Sequence, residues 1–258
     1  MKPISVLLCI VMSVCVATAP SLRAAIFEQT EVFSGIPNLE EDLEFQQWNP
    51  DWGTLNSIFI QLSLTANGGA YQVDNDSGTG SSSDVSFGAN GNLSSSDVWL
   101  FNGANATIFN SDIIAATTAN ITLTGNDGDA EVGGTGNFSL QGTDYGQVIG
   151  GEVTSSGSDF VGALWYDFGG RSYLGSGTFT LTASIDQYTT LGSISGVQQL
   201  ITPLDVEGFV RVTYDYDGPG PFGPAPVPEP TTLILFVLGA AASYRRVRVG
   251  PDRFQFRP

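Results

Sequence analysis

Between Ile58 and Thr65 the chain reads Ile-Phe-Ile-Gln-Leu-Ser-Leu-Thr, and this alternation restricts the fold more than any other feature. Successive strand side chains point to opposite faces, so Ile58, Ile60, Leu62 and Leu64 form an apolar row while Gln61, Ser63 and Thr65 face away. One face is core and the other is solvent. The same period of two recurs in Phe179, Leu181, Ala183 and Ile185, and again in Val210, Val212, Tyr214 and Tyr216, which leaves Arg211 outward. Outside the two ends no segment sustains a 3.6-residue apolar period, so helices are expected to be minor. The prediction is an all-β fold, an antiparallel β-sandwich of Greek-key or jelly-roll type.

Further strands are predicted at Ile26 to Phe33, Leu43 to Trp48, Ala119 to Thr124 and Gly136 to Leu140, with the rows above lying in Thr178 to Ile185 and Gly208 to Tyr216. Asn67-Gly68-Gly69 supplies residues that tolerate positive φ, and the expectation is a tight hairpin returning through Ala70 to Val73. Ser77 to Ser96 is rich in Gly and Ser and reads as a loop or irregular hairpin. The stretch from Asp217 to Pro230 is dense in proline and reads as an extended stalk. The resulting division is a signal peptide at 1–25, one β-sandwich domain at 26–216, a Pro/Gly-rich stalk at 217–226 and a C-terminal segment at 227–258.

Charge and missing residue types exclude several functions. Between Ile26 and Val227 only Arg171 and Arg211 are basic, against 24 acidic residues. Such a surface repels nucleic acid, because phosphate backbones are bound through Lys and Arg. The sequence contains no histidine, and Cys9 and Cys15 both lie in the N-terminal apolar run. The β region therefore lacks the usual general base, the Ser-His and Cys-His pairs, and the soft metal ligands. Carboxylate chemistry is what remains. Glu40-Glu41-Asp42 with Glu44 offers a carboxylate pair of the kind glycoside hydrolases use, but an acidic run this local is better explained as a solvated edge. A non-enzymatic protein is expected.

Two sets of residues suggest ligands. Asp74-Asn75-Asp76-Ser77-Gly78 places oxygen donors at alternate positions, and Asn126-Asp127-Gly128-Asp129 does the same, so Asp74, Asp76, Asp127 and Asp129 are the candidate calcium ligands. Asp, Asn and Gly also build turns for purely conformational reasons. Asp215-Tyr216-Asp217 is a further oxygen-rich stretch. Trp48, Trp52, Trp99 and Trp165 could stack on sugar rings, although tryptophans in a β domain more often fill the core.

The ends carry an address. Lys2 precedes the apolar run Ile4 to Ala17, and small residues follow up to Ala25, which is the pattern of a secretory signal peptide cut after Ala24 or Ala25. At the other end Val227-Pro228-Glu229-Pro230 precedes an apolar run from Thr231 to Tyr244 and then Arg245-Arg246. As a helix, 14 residues rise roughly 21 Å, short of the about 30 Å hydrocarbon core, and the arginines hold the C-terminus on the cytoplasmic side. This three-part order resembles the PEP-CTERM sorting signal of polysaccharide-exporting bacteria, although here the chain continues from Gly250 to Pro258. The resemblance implies sorting by exosortase, a membrane transpeptidase, with Val227, Pro228, Glu229, Pro230, Arg245 and Arg246 as the signal. The implied partners are that enzyme, the secretion machinery and extracellular polysaccharide. The implied route is export, transient inner-membrane anchoring, then the cell surface or extracellular matrix. A shorter resemblance runs from Phe45 to Ile58, through Asn49-Pro50 and Gly53-Thr54-Leu55, which is similar to the opening of the choice-of-anchor E domain. Trp48 and Trp52 depart from that pattern, and it implies no activity.

The sequence thus favours an exported structural protein of the surface or matrix. A calcium- or glycan-binding surface module is the alternative, and a carboxylate-based glycoside hydrolase is a distant third.

Overall fold

The computed structural model of the protein describes residues 25–109, 112–128, 142–194 and 196–221. Contacts divide the chain into one compact unit ending at Pro221 and a second from Phe222 to Pro258, which lies outside the described residues. The predicted signal peptide up to Ala24, the strand at Gly136 to Leu140, Asp129 and the whole sorting signal lie outside them as well.

Thirteen strands occur among the described residues. They are β1 (Ala25–Gly35), β2 (Leu39–Gln46), β3 (Thr54–Asn67), β4 (Ala70–Asn75), β5 (Ser81–Ser94), β6 (Ile113–Leu123) and β7 (Tyr145–Ile149). Then follow β8 (Val153–Val161), β9 (Asp167–Phe168), β10 (Arg171–Ser172), β11 (Thr178–Leu191), β12 (Val197–Thr202) and β13 (Asp205–Asp217). The long strands make two four-stranded antiparallel sheets, ordered β1-β13-β3-β8 and β2-β11-β5-β6. Counting only these eight in chain order gives 1-8-3-6 and 2-7-4-5, two interlocked Greek keys. Of the two sandwich types predicted, this is the jelly roll.

The predicted apolar rows meet between the sheets. Ile58, Ile60, Leu62 and Leu64 of β3 are completely buried, as are Leu181, Ala183 and Ile185 of β11 and Val210, Val212 and Tyr214 of β13. Burying each large apolar side chain contributes on the order of 1.5–3 kcal/mol, which lets the sandwich stand without disulfides. The edge strand β2 exposes Glu40, Glu41, Asp42 and Glu44 while burying Leu43 and Phe45. Charges along an open edge discourage pairing with other chains.

Two expectations are corrected. The Gly/Ser-rich segment is not a loop: most of it forms β5, a 14-residue strand inside the second sheet. Val85, Phe87, Ala89 and Leu93 point into the core, and the small residues between them carry the outer face. Gly88 permits the close pairing with β6, since a Cβ there would lie 2.5 Å from the Ala116 Cα. The Gly68-Gly69 turn adopts positive φ at both residues, +74° and +69°, but β4 does not return along β3. β3 is already paired on both sides, by β13 and β8, so β4 crosses away and pairs with β12 and β7.

The topology sorts the connections into two ends. β4, β7 and β12 are excursions in the connections β3 to β5, β6 to β8 and β11 to β13, and they join as a three-stranded sheet at one end. The connections β2 to β3, β5 to β6 and β8 to β11 cluster at the other. Ala25 pairs with Tyr216 and Thr54 with Asp217, so the described chain both begins and ends at this second end.

Candidate functional site

All four tryptophans gather at the end where the described residues begin and end, and the structure divides them into two neighbouring pairs. Trp48 is only 1% exposed. It packs on Tyr216 at 4.6 Å, on Trp52 edge-on at 5.3 Å and on Tyr214 at 5.8 Å, closing the mouth of the sandwich. Asn49-Pro50 shapes this corner: the Asn49 Oδ1 accepts from the Asp51 N–H at 3.0 Å and opens a one-turn 3-10 helix over Pro50–Trp52. Trp48 is core, and Trp52 is half-buried against it.

Trp99 and Trp165 lie on neighbouring loops, at half-buried positions. With Phe101 and Phe168 they form a continuous aromatic surface: Phe101 to Trp165 is 4.8 Å, Trp165 to Phe168 5.2 Å and Trp99 to Phe101 5.6 Å between ring centroids. Phe168 is 54% and the adjoining Leu164 77% exposed, so this surface meets solvent. The indole N–H groups are used in fixing the rings: Trp99 donates to the Phe168 carbonyl at 3.0 Å and Trp165 to the Asn105 Oδ1 at 3.2 Å. The Arg171 guanidinium lies 4.1 Å from the centre of the Trp99 ring.

The loops beneath are tied down. The Tyr173 hydroxyl donates to the Trp99 carbonyl at 2.9 Å, and burial pushes its phenol well above the usual range. Asp97 accepts from the Thr180 N–H at 2.9 Å and from the Ser96 hydroxyl at 3.0 Å. These bonds, with a smaller contribution from Arg171, hold its carboxyl below the ordinary value. An aromatic surface flanked by Asn105 and Arg171 can cover an apolar ring face and hydrogen-bond at its rim.

Sequence reasoning named Trp99 and Trp165 as sugar-stacking candidates but gave no such role to Phe101, Leu164, Phe168 or Arg171. The available signal was two aromatic strings between strands, Trp99-Leu100-Phe101 and Leu164-Trp165-Tyr166-Asp167-Phe168.

Of the candidate calcium ligands, the three among the described residues, Asp74, Asp76 and Asp127, lie toward the opposite end. Asp74 sits in β4 and is 3% exposed, while Asp76 follows the strand and donates its backbone N–H to the Gly196 carbonyl at 2.9 Å. Between them Asn75 is fully buried and saturated: its Nδ2 donates to the carbonyls of Thr79 and Thr124, and its Oδ1 accepts from the Ser77 N–H and hydroxyl. The motif therefore shapes a turn. Asp127 is exposed and lies beside Asp144, a residue the sequence did not single out. Among the described residues no three acidic side chains are placed to share a metal ion. A groove of about 520 Å³ on the outer face of the first sheet is lined by Val32, Ser63, Thr65, Glu207 and Phe209 among others, with Glu207 its single carboxylate.

The remaining landmark is the C-terminal order of Pro-Glu-Pro, apolar run and arginines, and the family model for the PEP-CTERM protein-sorting motif matches it over residues 226–249. The chain carries a PEP-CTERM sorting motif. It is thereby marked as an exported protein sorted by exosortase, with a C-terminal membrane-anchoring signal. No curated protein matches the PEP-CTERM chain significantly. Among solved structures, a chain of the T13 particle of infectious bursal disease virus is 11% identical, with a TM-score of 0.14 over 84% of this chain and 47% of that one. A chain of the Gx strain of the same virus is 10% identical, with a TM-score of 0.13 over 85% and 49%. The PEP-CTERM chain spans about half the length of these viral chains, and likeness at this level carries no argument. Among the described residues no helix is long and apolar enough to cross a membrane.

Proposed function

We propose that this protein is a non-catalytic structural component of the cell surface or extracellular matrix, released from its membrane anchor by exosortase and held among extracellular polysaccharide. The sorting motif carries the reading. The aromatic surface of Trp99, Phe101, Trp165 and Phe168 supports it by offering a contact for sugar rings. The acidic surface disfavours anionic polymers, so the polysaccharide in this reading is neutral. The absence of histidine and the exposed, edge-strand placement of Glu40, Glu41, Asp42 and Glu44 both argue against a hydrolase. The short resemblance at Phe45 to Ile58 fits a surface domain with an interchangeable anchor.

Mass spectrometry of surface material tests the sorting step. The expected result is peptides up to the proline-rich stalk and none from Arg245 to Pro258, whereas an intact tail on the mature protein would point to a plain tail anchor. Retention on the host's own purified polysaccharide tests the contact. Trp99→Ala with Trp165→Ala should abolish it, and unchanged retention would remove the aromatic surface from the proposal.

A further inference from the structure

At the end built from β4, β7 and β12, the chain leaves β6 through Thr124 to Gly128 and approaches β7 through Gly142 to Asp144. These two passages are locked together. Thr124 donates its N–H to the Thr143 carbonyl at 3.0 Å, and their hydroxyls lie 2.8 Å apart. Asn75 donates its backbone N–H to the Asp144 carbonyl at 3.1 Å and its side chain to the Thr124 carbonyl at 2.6 Å. Within this frame Asp144 is 2% exposed. Its Oδ2 accepts from the Asp127 N–H at 3.0 Å, but its Oδ1 is buried with no hydrogen-bond partner.

On the same side of Gly142 as that oxygen lies a second carboxylate oxygen, the Asp127 Oδ2, which accepts from the Thr143 N–H at 3.3 Å. A Cβ at Gly142 would stand 2.6 Å from the Asp144 Oδ1 and 2.5 Å from the Asp127 Oδ2, so both oxygens converge on the side of Gly142 where any other residue carries its side chain. Gly142 has φ +106°, a conformation glycine adopts freely. Burying a carboxylate oxygen with nothing to balance it is costly, and convergence with a second carboxylate adds repulsion. A bound cation would relieve both.

We propose that Asp127 and Asp144 form a calcium site beside Gly142. Calcium fits because it takes six to eight oxygens in irregular arrangements and completes its shell with water or backbone carbonyls, whereas magnesium demands near-octahedral geometry. Sites of low ligand charge on extracellular proteins bind at about 10⁻⁴–10⁻³ M, which suits an exported protein. The proposed pair keeps Asp127 of the sequence reading and adds Asp144. The site stands apart from the aromatic surface and does not depend on the polysaccharide reading.

The test is thermal unfolding of the full-length protein in detergent, followed by tryptophan fluorescence in EDTA, about 10 mM calcium, about 10 mM magnesium, and sodium chloride at matched ionic strength. A native-state ligand at tens of times its Kd should raise the Tm by roughly 3–8 °C. Calcium should give this rise and magnesium or sodium much less. Asp144→Asn should remove the calcium response, and so should Asp127→Asn, whose exposed position keeps the fold intact. Equal shifts with calcium and sodium would overturn the site. So would a calcium response that survives both substitutions, or the absence of any response in the unmodified protein.

Discussion

The two ends of this jelly roll are built on opposite principles. At one end, three loop excursions hydrogen-bond to one another through β12-β4-β7, and backbone pairing with a fully satisfied Asn75 sets their positions. At the other, the connections contain little strand, and order comes from rings packed on rings, from Trp48 against Tyr214 and Tyr216 inside to Trp165 against Phe168 outside. The first end orders acidic side chains and the second orders aromatic ones. An antiparallel sandwich leaves its connections free to vary, so one scaffold can present two unrelated surfaces.

The largest effect expected from testing this contrast lies within the tryptophans. Trp48→Ala should lower unfolding free energy by about 3–5 kcal/mol through loss of a buried ring. Trp99→Ala and Trp165→Ala, at half-exposed positions, should cost about 1–2 kcal/mol each. Denaturant titration measures the difference, and equal losses would make the outer rings core like Trp48.

Gly69→Ala probes the other end. A Cβ there would meet Leu204, Phe87 and the Thr202 carbonyl, all at 2.9 Å, and the φ of +69° is strained for alanine. The expected cost is about 1–3 kcal/mol. Hydrogen exchange should quicken in β4, β7 and β12 before it does in β3 and β13. Uniform quickening would mean that the inserted sheet is not a separable layer.

A smaller effect concerns alkaline pH. Burial raises the phenols of Tyr166, Tyr173 and Tyr214 at the aromatic end, and those of Tyr71 and Tyr145 at the other. An unfolded chain ionises its tyrosines near pH 10, while the folded chain keeps these protonated. Their contribution is therefore fully present below about pH 10 and is lost as pH rises toward the folded values. Tyr173→Phe and Tyr214→Phe should move the alkaline unfolding midpoint upward, at a cost near neutrality of about 1 kcal/mol each for the lost hydroxyl bonds. Tyr71→Phe should move it less.

The smallest effect belongs to Asp97, whose carboxyl is held below its ordinary value first by the Thr180 N–H. Its contribution is present above the usual carboxylate range and disappears as pH falls through the lowered folded value. Asp97→Asn should flatten acid unfolding slightly, read as a shallower dependence of Tm on pH below 5. An unchanged slope would mean that this exposed carboxylate does not anchor the aromatic loops.

Legibility in the sequence followed physical scale. Ile58 to Leu64, Phe179 to Ile185 and Val210 to Tyr216 were readable because a period of two acts within a single strand. β5 was missed because Gly88, Asn90 and Asn92 look like loop residues until β6 and β11 pair on either side of them. The Gly68-Gly69 turn was right in its backbone and wrong in its consequence, since its outcome depended on whether β3 had a free edge. Trp48 and Trp99 were indistinguishable in sequence, because burial depends on what the rest of the chain places over a ring.

The sequence by itself determined the strand-forming alternation, the acidic surface without histidine or a disulfide, and the sorting motif, all properties of residues and their near neighbours. Only the tertiary structure decided the jelly-roll order, the separation of core from surface tryptophans and the meeting of Asp127 with Asp144. Each of these rests on contacts between strands and loops far apart in the chain, and such contacts exist only once every strand has found its partners.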